Sequence, residues 1–119
     1  MAYAANIVIA IVALLHAYFL VLEMFLWDKP LGLKTFRQTP ESAAVTKVLA
    51  ANQGLYNGFL AAGLAWGLWL GVEGFSVKVF FLSCVNIAGL YGAASVGKKI
   101  LFVQALPAAI GLVLLYLSK

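Results

Sequence analysis

Residues 47–70, KVLAANQGLYNGFLAAGLAWGLWL, decide the fold class of this chain. The stretch has 24 residues, and about 20 predominantly apolar residues in a helix suffice to cross the hydrocarbon core of a bilayer. It carries three amides near its start, Asn52, Gln53 and Asn57, and polar groups of this kind are costly in contact with lipid. We therefore expect a membrane-spanning helix whose amides face protein or water.

The composition of the whole chain agrees with a membrane protein. Of its 119 residues, 65% are hydrophobic and 10% are charged, whereas soluble domains are about half apolar and about a quarter charged. The formal net charge is +4, but the eight Lys and Arg residues are spread over connecting segments, so membrane lipids and not nucleic acid are the expected partners. Cys84 is the single cysteine, which excludes an intrachain disulfide.

Breaker residues divide the apolar chain into four predicted spans. The first ends where Trp27 meets a charged segment, as is typical of a membrane interface. The second is expected to start near Pro40 with Thr39 as its N-cap, and Ser76 is the expected N-cap of the third. Pro107 predicts a bend in the fourth, because proline removes a backbone donor. The fold class is therefore all-α, a polytopic membrane protein with a four-transmembrane-helix bundle in a single domain, residues 1–119, with spans at approximately 5–27, 45–70, 77–96 and 100–117.

Basic residues predict the orientation of these spans. Six of the eight Lys and Arg residues lie in or beside the first and third connections, and the other two, Lys78 and Lys119, lie on the other side. Because cytoplasmic loops are enriched in Lys and Arg, we expect loops 28–44 and 97–99 in the cytoplasm and both termini outside. No positive charge precedes the first apolar run, so a cleaved signal peptide is not expected. The predicted location is the cytoplasmic (inner) membrane.

Three motifs carry a resemblance to a known family: LEMFLW at residues 22–27, KVLAANQGLYNGFLAAGLAWG at residues 47–67 and GLYG at residues 89–92. They resemble a family of small bacterial integral membrane proteins that is classed only as domain of unknown function 1304. The resemblance covers nearly the whole chain and implies a membrane location and a span count. It implies no catalytic residue.

Polar residues gather in the predicted cytoplasmic half of the spans. At 1.5 Å per residue, one layer at a depth of roughly 7–9 Å contains Glu23, and a second layer at roughly 15–18 Å contains His16 and Asn57. A turn of about 100° per residue places His16 and Glu23 on one stripe of the first helix. A polar arc of about 140° on the second helix is expected to meet this stripe, while Gly54 and Gly58 pack against another helix. The polar arc contains Asn52, Gln53, Tyr56 and Asn57, and with His16, Glu23, Asn86, Tyr91 and Gln104 these residues are the candidate ligand-binding residues.

Glu23 and His16 are also the candidate catalytic residues, as general acid and base. A carboxylate inside a bilayer costs about 2.5 kcal/mol or more unless it is hydrated, paired or protonated. The two residues lie two turns apart, roughly 10 Å along the axis, which is too far for a direct bond and within reach of a ligand or waters. One histidine and no second intramembrane acid predict no metal site, and no cofactor motif is present.

Three functions stay open on the sequence alone. The best supported is a binding or transport module, in which a cytoplasm-facing polar cavity accepts a small or amphiphilic molecule, with proton coupling at Glu23. The second is a small intramembrane enzyme with isomerase-like acid/base chemistry by Glu23 and His16. The third is a structural or accessory membrane subunit whose amides and glycines hold helices together. A homodimer is a candidate assembly in each case.

Overall fold

The computed structural model describes residues 2–119, and these residues are all-helical, as predicted. Two helical segments, Ala2–Met24 and Pro40–Ser95, are long and apolar enough to cross a membrane, and Leu101–Leu117 is a shorter apolar helix. The helices are α1 (Ala2–Met24), α2 (Pro30–Thr35), α3 (Pro40–Leu70), α4 (Phe75–Ser95) and α5 (Leu106–Leu117), with a 3-10 turn at Gly71–Gly74 between α3 and α4 and a π-helical turn at Leu101–Ala105 before α5.

Helix α3 begins where the sequence predicts. The hydroxyl of Thr39 accepts a hydrogen bond from the backbone N–H of Ser42 at 3.1 Å, and Pro40 is the first helical residue. The first N–H groups of a helix have no intrahelical acceptor, so a side-chain oxygen at this position satisfies one of them. The predicted N-cap at Thr39 is confirmed.

Two helix boundaries differ from the expectations. Helix α1 ends at Met24, three residues before the approximate end expected for the first span, and the chain leaves it through a wide turn in which Leu26 N donates to Val21 O at 3.2 Å. Helix α4 begins at Phe75, so Ser76 is not its N-cap. The 3-10 turn runs directly into α4 and already supplies backbone acceptors to its first N–H groups, which removes the need for a side-chain cap.

The loop after α1 contains a short helix, α2, that the sequence analysis did not predict. Gln38 N donates to Leu33 O at 2.9 Å and Arg37 N donates to Lys34 O at 3.4 Å, which is the bond pattern of a Schellman C-cap. Arg37 occupies the left-handed position of this motif with φ 52°. A side chain at such a position costs about 1–2 kcal/mol, so the contacts of the loop hold Arg37 in a strained conformation.

The helices form two compact units, residues 2–14 with 60–119 and residues 15–59. In the first unit, residues 60–70 run antiparallel to α4, because Gly63 contacts Phe81 and Gly67 contacts Lys78. Helix α4 runs antiparallel to the last helical segment, where Gly89 lies against the backbone of Ala105. The buried core of this unit consists of Ala5, Ile9, Val12, Leu64, Leu82, Val85, Ala108 and Leu115.

A π-helical turn directly precedes Pro107, where the sequence predicts a bend, and the bend itself stays a prediction. Pro107 lies in the first turn of α5, directly after Leu101–Ala105. Proline has no N–H for the carbonyl four residues before it, and its ring crowds that carbonyl, so the regular α-helical bond is lost there. A wider turn accommodates this loss without ending the helix.

In the second unit, the end of α1 runs antiparallel to the first half of α3. Leu20 contacts Gly58 and Met24 contacts Gly54, so residue numbers fall along one helix as they rise along the other. Two bonds fix this pairing near the loop. The indole N–H of Trp27 donates to Thr46 Oγ1 at 3.1 Å. Lys47 Nζ donates to Asp28 Oδ2 at 2.9 Å.

Candidate functional site

The second unit contains a buried hydrogen bond between Glu23 of α1 and Asn57 of α3. The side-chain amide Nδ2 of Asn57 donates to Glu23 Oε1. Glu23 is 5% exposed and Asn57 is 9% exposed. Within residues 2–119 the one ion pair joins Lys47 to Asp28, so the partner of the Glu23 carboxyl group is a neutral amide and not a cation. The pair is therefore a polar centre in an otherwise apolar contact.

Glycine on α3 allows the two helices to come close enough for this bond. A Cβ atom added at Gly54 would lie 2.7 Å from Met24 Cγ and 3.0 Å from Glu23 Cβ. At Gly58 it would lie 2.6 Å from Leu20 Cδ1. Small residues let helix backbones approach each other closely, and a short amide side chain can then reach a carboxyl group on the facing helix. The predicted packing role of Gly54 and Gly58 agrees with these contacts.

Charged groups at the loop end of the unit are more exposed than the buried pair. The side chain of Asp28 is 31% exposed and that of Lys47 is 57% exposed. The hydrogen bond from the Lys47 ammonium holds the pKa of Asp28 below its usual range. Ion pairs with this exposure are weak, so this one contributes to the register of α1 and α3 more than to stability.

His16 is on the same helix as Glu23, as the sequence analysis predicts. It is fully buried, and its ring packs edge-to-face against Phe19 with ring centres 5.3 Å apart. Because α1 is one uninterrupted helix, seven residues place His16 two turns, roughly 10 Å, from Glu23. The two candidate acid–base groups are thus on one helix and outside hydrogen-bond distance of each other.

The other three members of the predicted polar arc of α3 are exposed and do not pack against α1. Asn52 and Gln53 are exposed, and Tyr56 is 60% exposed. The prediction that one polar arc of α3 meets the stripe of α1 is wrong for these three residues. The side of α3 that packs against α1 is the small-residue side that contains Gly54, because close packing requires small side chains, and Asn57 lies on that side.

The two predicted depth layers are also wrong, because Glu23 was placed in the shallower layer and Asn57 in the deeper one, yet they bond directly. The expected depth of Glu23 counts 1.5 Å for each residue between it and the charged end of the span at Asp28, but residues 25–29 are not helical. Turn residues advance by other distances, so the depth of Glu23 cannot be counted in helical steps.

Three predicted site residues belong to the first unit. Asn86 and Gln104 are half-buried, and Tyr91 is 76% exposed. Their role in ligand binding stays a prediction. A surface depression of about 240 Å³ in the same unit is lined by the apolar side chains of α5 and contains none of the predicted site residues; its lining is Ala109, Ile110, Val113 and Leu114.

Lys78 is a buried charged residue that the sequence analysis treated only as a loop-side basic residue. It is 4% exposed, and its Nζ donates to Asn6 Oδ1 and to Gly71 O, each at 3.1 Å. The signal that points to it is its position: Lys78 lies one turn inside an apolar helix, and Asn6 lies one turn inside α1. Within residues 2–119, no group of three or more His, Cys, Asp or Glu side chains is placed to hold a metal ion.

Comparison with known proteins places the chain in a family. Residues 10–116 match the family described as protein of unknown function (DUF1304), and the chain belongs to that family. The uncharacterized protein YpaA of Lactococcus lactis subsp. lactis (strain IL1403) is 28% identical over 96 residues, which are 79% of this chain and 81% of that protein. No solved structure matches the chain significantly. The family resemblance predicted from the three motifs is confirmed.

Proposed function

We propose that this protein is a multi-pass membrane protein that binds a small, amphiphilic cation at Glu23 and couples its binding or transport to protonation of that residue. The observation that carries the proposal is the buried carboxyl group of Glu23, whose partner Asn57 is a neutral amide. A carboxylate at the centre of a membrane helix costs about 2.5–3.5 kcal/mol. A proton or a bound cation removes that cost, so the two compete for the same group.

Asn57 suits this exchange because it serves both states of the carboxyl group. Its Nδ2–H group donates to Glu23 Oε1, and a carboxyl oxygen accepts such a bond whether or not the other oxygen carries a proton. The amide therefore orients Glu23 while Oε2 takes up or releases the proton. Helix α1 also carries the buried His16 two turns away, at a distance that a small molecule or water can bridge.

The test uses tetraphenylphosphonium, a lipophilic cation, as the probe. The full-length protein in detergent micelles is titrated with the probe by isothermal calorimetry over a range of about pH 5 to 9. We expect affinity to rise with pH as Glu23 loses its proton. Glu23→Gln keeps the shape and the hydrogen-bond acceptor but removes the charge, so affinity and its pH dependence should both be lost.

The matched control is Glu73→Gln, which changes an exposed glutamate in the 3-10 turn between α3 and α4. It should leave probe affinity and its pH dependence unchanged. Equal binding by wild type and Glu23→Gln at every pH would contradict the proposal.

The alternative is a structural or accessory membrane subunit, and the contacts around Gly54 favour it. Met24 and Glu23 pack closely there, so the carboxyl–amide bond also serves as a helix–helix contact. This function predicts that Glu23→Gln retains folding and that neither protein binds the probe.

A further inference from the structure

The loop between α1 and α3 carries three exposed basic residues that we name the basic loop cluster. The cluster consists of Lys29, Lys34 and Arg37. Within residues 2–119 the one ion pair joins Lys47 to Asp28, so no member of the cluster is paired with a carboxylate. The other acid nearby, Glu41, is exposed and has no ion pair in that range. From residue 28 to residue 47 the chain has four basic and two acidic residues, so the loop keeps an excess of positive charge.

Arg37 is the member of the cluster whose backbone indicates a ligand. Among residues 2–119 it is the only residue other than glycine with a positive φ, at 52°. Glycine is the usual residue at this left-handed position after a helix, because a Cβ atom is crowded there. The guanidinium group of Arg37 makes no hydrogen bond or ion pair within the same range. The side chain therefore does not offset the strain of its backbone through the fold, which indicates a partner outside the chain.

Helix α2 turns the basic side chains outward. Gly32 lies against the backbone of Leu26, and the ring of Phe36 packs against Trp27 with ring centres 4.7 Å apart. This side of α2 therefore faces the protein. At about 100° per residue, Lys34 lies about 160° from Gly32 around the helix, on the opposite side. The cluster is thus presented to the surroundings on a short, well-packed helix and its C-terminal cap.

The apolar groups beside the cluster favour a lipid as its ligand. Leu31 is 46% exposed and lies three residues before Lys34, so the two side chains are neighbours on the outward side of α2. Trp27, whose indole N–H donates to Thr46 Oγ1, is typical of a membrane interface. Arginine binds phosphate oxygens through two parallel N–H groups. An anionic phospholipid offers a phosphate to the basic residues and acyl chains to the leucine.

We propose that the basic loop cluster binds the headgroup of an anionic phospholipid, with Arg37 and Lys34 on the phosphate and Leu31 against the acyl chains. The net negative charge of such a lipid complements the positive loop, whereas a zwitterionic lipid brings a cation of its own. The proposal rests on the membrane location in the proposed function, but not on the role of Glu23 in cation binding.

The first test measures the dissociation constant of the first bound lipid by native mass spectrometry of the full chain in maltoside micelles. Phosphatidylglycerol is compared with phosphatidylcholine of the same acyl chains, and we expect phosphatidylglycerol to bind more tightly. Arg37→Gln should raise its dissociation constant by about fivefold, the effect of one basic residue at an anionic lipid surface. Lys98→Gln is the matched control, because it removes one exposed positive charge from another connection and should leave the constant unchanged.

The second test separates a ligand-binding role of Arg37 from a structural one. Arg37→Gly removes the same charge but adopts φ 52° without strain. We expect it to weaken phosphatidylglycerol binding as Arg37→Gln does, while the midpoint of thermal unfolding, followed by circular dichroism in maltoside micelles, is unchanged or higher. A lower midpoint for Arg37→Gly would mean that the arginine side chain supports the fold, against the proposal.

Equal dissociation constants for the two lipids would overturn the proposal, and so would an equal effect of Arg37→Gln and Lys98→Gln. Displacement of phosphatidylglycerol by inorganic phosphate would assign the cluster to free phosphate and contradict a lipid site. Glu23→Gln should leave the preference for phosphatidylglycerol unchanged. Loss of that preference with retained tetraphenylphosphonium binding contradicts this proposal alone, and the reverse result contradicts the proposed function alone.

Discussion

Replacing Asn57 with leucine tests the buried carboxyl–amide pair most sharply. Leucine has the same branched arrangement of heavy atoms as asparagine, although it is larger, and it donates no hydrogen bond, so Asn57→Leu leaves the buried Glu23 carboxyl group without its amide partner. Hydrogen bonds between membrane helices contribute about 0.6 kcal/mol on average and up to about 1.7 kcal/mol. Both partners are buried and one is a carboxyl group, so we expect a coupling near the upper end, about 1.5 kcal/mol.

A double-mutant cycle isolates this coupling from the effects of each substitution. The four proteins are wild type, Asn57→Leu, Glu23→Leu and the double variant. Each single variant strands one buried polar group, whereas the double variant strands neither, so its loss of stability should be smaller than the sum of the single losses. Unfolding is measured by titration with sodium dodecyl sulfate in mixed micelles, with helix content by circular dichroism and tryptophan fluorescence as the readouts.

Additive losses would refute the reasoning. Independent sites add within about 0.3–0.5 kcal/mol, so a coupling inside that range means that the two side chains do not stabilise the fold through their bond. Asn86→Leu is the control for removal of a half-buried amide elsewhere in the chain, and it should show no coupling to Glu23→Leu.

Three further predictions concern stability and use the same unfolding measurement. Gly89→Ala should destabilise the fold by about 1–3 kcal/mol, because the added Cβ would lie 2.6 Å from the backbone nitrogen of the facing helix, while Gly97→Ala, with open space around its Cβ, should be nearly neutral. Thr39→Ala should lower the free energy of unfolding by about 1 kcal/mol through the lost N-cap, and Thr39→Ser should retain most of the stabilisation. The hydrogen bond from Lys47 lowers the pKa of Asp28 in the folded state. This bond therefore stabilises the fold above the unfolded-state pKa, and the stabilisation is lost as pH falls through the folded-state pKa. Curves of unfolding free energy against pH for wild type and Asp28→Asn should converge at low pH.

The local features of the fold could be predicted from sequence because they depend on neighbouring residues. Thr39 and Pro40 set the start of α3 through a cap and a missing donor, and both act within one turn. Pro107 also acts locally, although the sequence predicts a bend there and the structure has a π-helical turn directly before it. The helix α2 was missed because Pro30 and Gly32 are typical of turns, although Pro30 also suits the first position of a helix.

The candidate site was predicted only in part, because its geometry depends on which side of each helix packs. Glu23 and Asn57 are recognisable from sequence as polar groups within apolar helices, and they bond to each other. The polar arc predicts that Asn52 is on the same packed side, but the small residue Gly54 determines the contact with α1 and leaves Asn52 exposed. The sequence near Lys78 predicts a position at a loop edge. Its buried hydrogen bond joins it to Asn6, 72 residues away, and no neighbouring residue indicates such a partner.

The measurement that tests the proposed role of Glu23 most directly is carbon NMR of protein labelled at the glutamate side-chain carboxyl groups. The chain has three glutamates, so Glu23→Gln assigns the Glu23 signal and leaves those of Glu41 and Glu73. Addition of tetraphenylphosphonium should shift the Glu23 signal and change the pH at which it titrates, with the other two unmoved. A Glu23 signal that does not respond to the probe, or responds no more than the exposed glutamates, would contradict the account.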